Sequence, residues 1–244
     1  MPLPRISRRR RRWLNDHLPA GMKAWVEARD PFYLLAESDA VVARSAEVVR
    51  ARPGLMAAPD RVFCDLGFNT RQVFNGFYSR LGPEFRWFGF EIQRSLWDTA
   101  QSERADYTSG PVEFLHAAAT TFDGSIAIAV EGKASGDGST ILPGLVRDPS
   151  TAGHAEVRAI DLGAFLMEAT NPASRIVLKM DIEGAEYDLL QHLSAHPVFE
   201  RLDLILCEFH WRRFPGLERY RKLRETLRLI RTFGDRGVLL LSWR

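Results

Sequence analysis

The amino-acid sequence predicts a doubly wound α/β fold with a mostly parallel, seven-stranded sheet. Short, almost wholly apolar runs alternate with stretches of helical periodicity, which is typical of parallel strands covered by helices on both faces. The chain has 244 residues, of which 45% are hydrophobic and 26% charged. This length suffices for one large α/β domain or two small ones, and the composition is ordinary for a globular protein.

The strands and helices of the prediction follow from apolar runs and from periodicity. The strands are expected at 61–66, 85–91, 112–117, 125–130, 175–181, 202–209 and 237–243. Helices are expected at 70–80, 94–105, 162–169, 184–195 and 216–232. Asp161 is predicted to cap the helix at 162–169 with its side chain.

The chain is predicted to divide into a basic disordered tail (1–12), a helical extension (13–58) and the α/β domain (59–244). Two helices are expected in the extension, separated at Asp30 and Pro31. The tail holds six arginines and no acid, whereas the rest of the chain has 27 basic and 31 acidic residues. We interpret the tail as a solvated arm, with peripheral contact to anionic lipid, nucleic acid or an acidic partner as the alternative. The remaining chain has no basic stripe interleaved with aromatics, so nucleic acid is not an expected partner.

Neither a transmembrane segment nor a secretory signal is expected. No apolar run approaches the roughly 20 residues of a membrane span, and the N-terminus lacks an apolar core segment. Cys64 and Cys207 lie in predicted strands with one strand between them. That places them about 9–10 Å apart, beyond the reach of a disulfide. We therefore expect reduced core cysteines and a cytoplasmic protein. The sequence assigns no oligomeric state.

One segment, 131–156, interrupts the alternation of strands and helices. It is rich in glycine, serine, aspartate and proline, and it is longer than an ordinary connection in a compact domain. Two interpretations stay open at this point, a functional lid and a mobile insertion.

Polar or small residues follow five of the predicted strands, at the point where each strand ends. Ligands of open α/β sheets bind beyond these carboxyl ends. A single such residue often only caps the next helix, but five coincident instances favour a ligand site. In chain order they are Asp65, Gly67, Asn69, Glu91, Ala117, Ala118, Asp181, Glu183, Glu208 and His210.

The first two strand ends indicate a nucleoside ligand. Asp65 to Gly67 predicts a tight turn where backbone N–H groups can approach a ligand, and Glu91 is placed to bind both hydroxyls of a ribose. The G-x-G-x-x-G motif of dinucleotide sites is absent, and so is the Walker-type phosphate loop. The pattern favours a nucleoside without phosphates, such as S-adenosylmethionine.

The stretch LKMDIEGAEYDLL (178–190) resembles the K-x-D-x-E-G-A-E signature of FkbM-type S-adenosylmethionine-dependent methyltransferases. VFCDLGFN is similar to the D-x-G-A-N turn of that family, WFGFEIQ to its ribose-binding strand end, and HAAATTFDGSIAI to its A-x-x-x-x-x-G segment. VRAIDLGAFL is similar to the T-L-D-x-L element that precedes the signature strand, and LILCEFH to the strand that ends in an acid. All of these elements occur in the expected order. The resemblance covers about 61–210. Within the turn, Phe68 replaces the usual alanine, and Arg71 stands at about the position of a second glycine.

This resemblance implies a class I methyltransferase fold, which is Rossmann-like, with strand order 3-2-1-4-5-7-6. It also implies O-methylation of a hydroxyl on a small molecule or glycan, with a sugar favoured. The site residues that it implies fall into three groups. Asp65, Gly67 and Asn69 would line the methionine end of S-adenosylmethionine, Glu91 would bind the ribose, and Ala117 or Ala118 would lie near the adenine.

Asp181, Glu183, Glu208 and His210 are the predicted catalytic groups. A hydroxyl acceptor must lose its proton, and His210, with an ordinary pKa of about 6.5, could accept it. The alternative for His210 is a polar cap of the strand end. Asp181 and Glu208 could instead hold Mg²⁺, although metal-free acid–base catalysis is simpler.

Three functions are compared. The first is an S-adenosylmethionine-dependent O-methyltransferase. The second is a catalytically idle methyltransferase-like module that acts through partner binding, with the basic tail and the N-terminal helices as its surfaces. Carboxylates that converge at the carboxyl ends of the strands cost folding free energy, and their presence favours the enzyme. The altered glycine turn favours the module. The missing glycines weaken a third function, that of a nicotinamide-dependent oxidoreductase.

Overall fold

The computed structural model of the protein describes residues 7–27, 38–108, 110–130, 139–145 and 153–243. The helices in these ranges are α1 (Arg8–His17), α2 (Ala20–Glu27), α3 (Ser38–Arg50), α4 (Pro53–Met56), α5 (Gln72–Leu81), α6 (Arg94–Ser102), α7 (Leu162–Ala169), α8 (Glu186–Ala195) and α9 (Glu218–Asp235). The strands are β1 (Asp60–Leu66), β2 (Arg86–Glu91), β3 (Val112–His116), β4 (Ala118–Thr120), β5 (Gly124–Val130), β6 (Gly153–Asp161), β7 (Ser174–Met180), β8 (Leu202–Cys207) and β9 (Leu239–Ser242).

The central sheet is parallel throughout, in the order β3-β2-β1-β7-β8-β9. The prediction of a doubly wound α/β fold is confirmed. The implied order 3-2-1-4-5 is also confirmed, with the predicted strands at 175–181 and 202–209 as the fourth and fifth. Two details of the prediction were wrong. The sheet has six strands in the described part of the chain rather than seven, and β9 pairs directly with β8 with no strand between them.

The missing strand belongs to a second, three-stranded sheet with the order β4-β6-β5. β5 is half exposed and pairs antiparallel with β6 over seven positions. An antiparallel pair can leave one face in water, so the apolar run at 124–130 does not have to join the buried sheet. Residues 153–156 of the predicted loop are therefore strand, whereas 131–138 and 146–152 lie outside the described residues.

Helices cover both faces of the central sheet, and each face has its own apolar core. On one face α3 and α5 pack against the sheet through buried residues such as Val49, Phe63 and Phe77. On the other face α7, α8 and α9 do so through residues such as Leu190 and Phe233. These two layers bring the carboxyl ends of β1, β2 and β7 to one open edge.

Helix α3 is tied to the end of the chain as well as to α5. The indole Nε1 of Trp243 donates to Ser45 Oγ at 2.9 Å, and both residues are fully buried. The N-terminal extension was predicted to contain two helices, and the described residues up to 58 contain four, α1 to α4. Residues 8–12 begin α1 rather than a disordered tail, while 1–6 and the expected break at 30–31 lie outside the described residues. The division of the chain at residue 58 stays a prediction.

Three smaller predictions can be compared with the structure. Cys64 and Cys207 are buried and free, and β7 lies between their strands, as expected. Asp161 caps α7 by accepting the N–H of Ala164 at 3.0 Å, also as expected. Among the helices described, none combines the length and the apolar character that crossing a bilayer requires.

Candidate functional site

A cleft of about 690 Å³, counted out to its open mouth, lies at the carboxyl ends of β1, β2 and β7. The predicted residues that line it are Gly67, Asn69, Glu91, Ala117, Ala118, Asp181 and Glu183. The lining also contains residues that were not predicted, among them Ile92, Gln93, Ser139, Thr140 and Ile141.

Gly67 forms the floor of this cleft because no other residue fits there. Its φ is +77°, and a Cβ atom at this position would lie 2.2 Å from the backbone oxygen of Asp181. The N–H of Asp181 in turn donates to Leu66 O at 3.0 Å. The ends of β1 and β7 are therefore in close backbone contact, which a side chain would prevent.

Glu91 also lines the cleft and is only 4% exposed. One carboxylate oxygen accepts the N–H of Asn69 at 2.8 Å, and the other accepts the N–H of Gln93 at 2.9 Å. Burial raises the pKa of Glu91, and the backbone hydrogen bonds oppose that effect. A carboxylate has about four acceptor positions, so each oxygen can still accept a hydroxyl from the cleft. The geometry fits the predicted ribose-binding role.

Asp65 does not line the cleft, contrary to the prediction. It is fully buried, and Lys179 Nζ lies 2.9 Å from its Oδ1 and also donates to Gly67 O at 2.9 Å. Burial alone would lower the pKa of Lys179, but the charges of Asp65 and Asp181 raise it. Asp65 therefore positions the glycine turn through Lys179. Lys179 and Asp65 are direct neighbours in the register of β1 and β7.

Arg71 adopts the backbone conformation that a glycine would supply. Its φ is 63° and its ψ 9°, in the left-handed region, at the residue before α5. The guanidinium group turns to Glu103 at 2.7 Å and to the hydroxyl of Tyr107 at 3.3 Å. The side chain is held away from the cleft, so the loss of the glycine leaves the cleft lining unchanged.

Phe68, the other departure from the family pattern, packs into the core. Its ring lies 5.1 Å from that of Phe114 and 6.5 Å from that of Phe74, measured between centroids. Gly89 makes room for it, since a Cβ atom there would lie 2.8 Å from both Phe68 and Phe114. The larger side chain is thus accommodated beneath the sheet surface and not in the cleft.

His210 lies among three carboxylates next to the cleft. Its Nε2 is 3.2 Å from Glu183 and 3.5 Å from Asp181, and its Nδ1 is 3.4 Å from Glu186. Burial alone would lower the pKa of His210, but Glu186 first, and then Glu183 and Asp181, raise it to about 9. The imidazole is therefore protonated at neutral pH. This corrects its predicted role, because a protonated histidine cannot accept a proton from a hydroxyl.

Glu186 is a structural residue that links two segments by hydrogen bonds. It is fully buried and accepts the N–H of Gly184 at 2.8 Å and that of His210 at 2.6 Å. It joins the start of α8 to the segment after β8. Two neighbouring strand ends are thereby fixed relative to each other.

Glu183 is held in a left-handed backbone conformation, with φ at 57°. Its carboxylate is ion-paired with Arg213, and its backbone oxygen accepts from Thr140 Oγ1 at 3.1 Å. Arg213 Nη2 also donates to Leu145 O at 2.9 Å. The segment 139–145 is thus fastened over the cleft. Arg213 was not predicted as a site residue, because its position depends on the helical turn Trp211–Arg213.

The predicted metal pair, Asp181 and Glu208, is not supported. In the part of the chain that the structure describes, the group with metal-type geometry is Asp181, Glu183 and His210, whose ligand atoms lie within 4.8 Å of one another. Glu208 is not in this group and does not line the cleft. Arg213 and the protonated His210 already balance the carboxylate of Glu183, so a cation would have to displace both. We assign no metal here.

The raised pKa of His210 predicts a stability that falls as pH rises. A histidine with a pKa of about 9 when folded contributes fully below its unfolded pKa of about 6.5 and loses that contribution as pH passes 9. Urea denaturation in buffer with EDTA should show a loss of about 3 kcal/mol between these limits, relative to His210→Gln. The exposed control His154→Gln should keep the wild-type slope. Parallel pH profiles for wild type and His210→Gln would contradict the account.

Comparisons with known proteins bear on the family. The Methyltransferase FkbM domain model matches residues 41–236. A search of curated proteins found no match. Among solved structures, precorrin-6y C5,15-methyltransferase from Geobacter metallireducens is similar over 78% of this chain and 70% of its own, at 11% identity and a TM-score of 0.36. This structural similarity is too low to support an inference, whereas the family model covers most of the chain. The chain therefore belongs to the FkbM methyltransferase family.

Proposed function

We propose that the protein is an S-adenosylmethionine-dependent O-methyltransferase acting on a hydroxyl of a small molecule or glycan, with a sugar as the favoured acceptor. The observation that carries this proposal is the presence of Glu91, Gly67 and Asp181 together in the lining of one cleft. Together they supply a diol-binding carboxylate, a close backbone approach and a further carboxylate at the ends of three neighbouring strands.

The cleft residues fit the donor in chemistry as well as in place. When bound, S-adenosylmethionine supplies a methyl group on a positively charged sulfur. Asp181 places a carboxylate at this end of the cleft, which suits a cation. Ala117 and Ala118 leave room for a flat base, and Ile92 adds an apolar contact.

Asp181 is the group placed to accept the proton of an acceptor hydroxyl. It lines the cleft, whereas His210 does not and is already protonated at neutral pH. Nε2 of His210 lies 3.5 Å from Asp181 Oδ1, close enough to orient that carboxylate. We therefore assign Asp181 the role of general base and His210 that of a positioning residue.

Replacing Glu91 with glutamine should weaken donor binding by about 100-fold. The variant loses the charge that strengthens hydrogen bonds to hydroxyls, and its NH₂ group would face one of two backbone N–H donors. Isothermal titration with S-adenosylhomocysteine measures the change. Glu113→Gln, an exposed substitution on the neighbouring strand, should bind as the wild type does. Equal affinity of Glu91→Gln and Glu113→Gln would refute the role of Glu91.

The reaction is tested with donor carrying a labelled methyl group and a panel of monosaccharides, glycosides and other hydroxylated compounds. O-methylation of a hydroxyl yields an ether, which survives mild alkali, whereas a methyl ester is hydrolysed. Alkali-stable label in a sugar supports the proposal. Label found only in esters or on nitrogen contradicts it. Tight donor binding without transfer to any compound would favour the idle module that acts through partners.

A further inference from the structure

Helix α9 presents an outer face that combines exposed apolar side chains with arginines. This outer face consists of Leu217, Tyr220, Arg221, Arg224, Leu227, Arg228 and Arg231. Most of these positions are three or four residues apart, so their side chains share one side of the helix, opposite the buried Leu229 and Phe233. Leu217 is 76% exposed, Tyr220 58% and Leu227 40%. They are half of the large hydrophobic side chains that are exposed in the described ranges.

The charge of the outer face is of one sign. It contains four arginines and no carboxylate. Within the described ranges, Arg221, Arg224 and Arg228 have no carboxylate at ion-pair distance, and Arg231 lies 3.5 Å from Asp235 at the far end of the helix. Exposed arginines without partners repel one another, so this arrangement is more favourable when an anionic surface covers it.

The shape of the outer face suits a flat partner. From residue 217 to 231 it extends along the helix for about 20 Å. It starts beside the helical turn Trp211–Arg213, where the exposed Arg212 lies over the ring of Trp211 at 4.9 Å and adds a further positive charge.

We propose that the outer face of α9 docks on an anionic lipid bilayer. Arginines of such a face pair with lipid phosphate and carboxylate groups, while leucine and tyrosine insert at the boundary between headgroups and acyl chains. A nucleic-acid backbone would match the arginines but leave Leu217 and Leu227 in water. A second copy of the chain would bring arginines against arginines. The docking does not depend on the proposed methyl transfer, since it uses no residue of the cleft.

The test is sedimentation of the full-length protein with vesicles. Vesicles of 30% phosphatidylserine in phosphatidylcholine are compared with vesicles of phosphatidylcholine alone, at low and at high salt. Binding should require the anionic lipid and should weaken with salt. Each surface arginine contributes about fivefold in affinity, so Arg224→Gln combined with Arg228→Gln should bind about 25-fold more weakly.

A matched control removes the same charge elsewhere. Arg104→Gln combined with Arg158→Gln changes two exposed arginines outside α9 and should bind vesicles as the wild type does. Leu217→Ser combined with Leu227→Ser keeps every arginine and should lose about tenfold in affinity through the apolar contact alone. Thermal unfolding confirms that the variants fold, and protection of α9 amides from hydrogen exchange on vesicle addition reports the contact without any substitution.

Two results would overturn the proposal. One is equal vesicle binding by wild type and both α9 variants, which would place any lipid contact in the arginine-rich N-terminus. The other is an absence of binding to anionic vesicles, with binding instead to an oligonucleotide or to soluble polyglutamate, which would assign the outer face to a different partner.

Discussion

Replacing Asp181 with asparagine is expected to lower turnover by about 1,000-fold while leaving donor affinity within about fivefold of wild type. The amide keeps the shape of the side chain and its place in the cleft but cannot accept a proton, and a positioned general base contributes roughly 10²–10⁴ in rate. Donor affinity depends chiefly on Glu91 and on the Gly67 turn. Single-turnover kinetics with labelled donor, together with titration of S-adenosylhomocysteine, separates the two effects.

A matched control for this variant is Asp188→Asn on α8. Asp188 is exposed and does not line the cleft, so its turnover should equal that of wild type. If Asp181→Asn loses donor binding as severely as Glu91→Gln, the division of roles between the two acids is wrong. If it keeps full turnover, Asp181 is not the base.

Replacing Gly67 with alanine is expected to lower the free energy of unfolding by at least about 3 kcal/mol and to abolish donor binding. The new Cβ atom would lie 2.2 Å from the backbone oxygen of Asp181, so β1 and β7 would have to separate at the floor of the cleft. The positive φ adds a penalty of about 1 kcal/mol for any residue with a side chain. Urea denaturation and titration with S-adenosylhomocysteine measure the two losses.

The substitution Gly237→Ala measures the cost of a positive φ without the steric clash that Gly67→Ala adds. Its φ is +87°, but no atom lies within 4 Å of the position that a Cβ would take. Gly237→Ala should therefore lose only about 1 kcal/mol and bind the donor normally. If Gly67→Ala and Gly237→Ala lower the free energy of unfolding equally, the close contact between Gly67 and Asp181 contributes nothing to the loss.

Features that depend on local sequence patterns could be predicted from the sequence. The alternation of apolar runs and helices predicts the parallel sheet, and the residue that ends each run predicts the position of Gly67, Glu91 and Asp181. In parallel strands these ends must meet at one edge. Their convergence could therefore be predicted without knowing the loop conformations or the strand registers.

The features that were missed depend on contacts between distant parts of the chain. Asp65 and Lys179 pair because β1 and β7 are neighbours in a particular register, and the sequence spacing of 114 residues carries no sign of it. The pKa of His210 depends on three carboxylates that tertiary packing brings around it. An apolar run also cannot specify which sheet it joins, and β5 formed a pair with β6 instead of entering the central sheet.

The most direct test of the central claim is isothermal titration of the protein with S-adenosylmethionine and S-adenosylhomocysteine. The cleft geometry predicts binding of one molecule per chain with a micromolar dissociation constant, lost in Glu91→Gln and in Gly67→Ala. No binding up to millimolar ligand, by protein shown to be folded, would contradict the assignment of this cleft to a methyl donor.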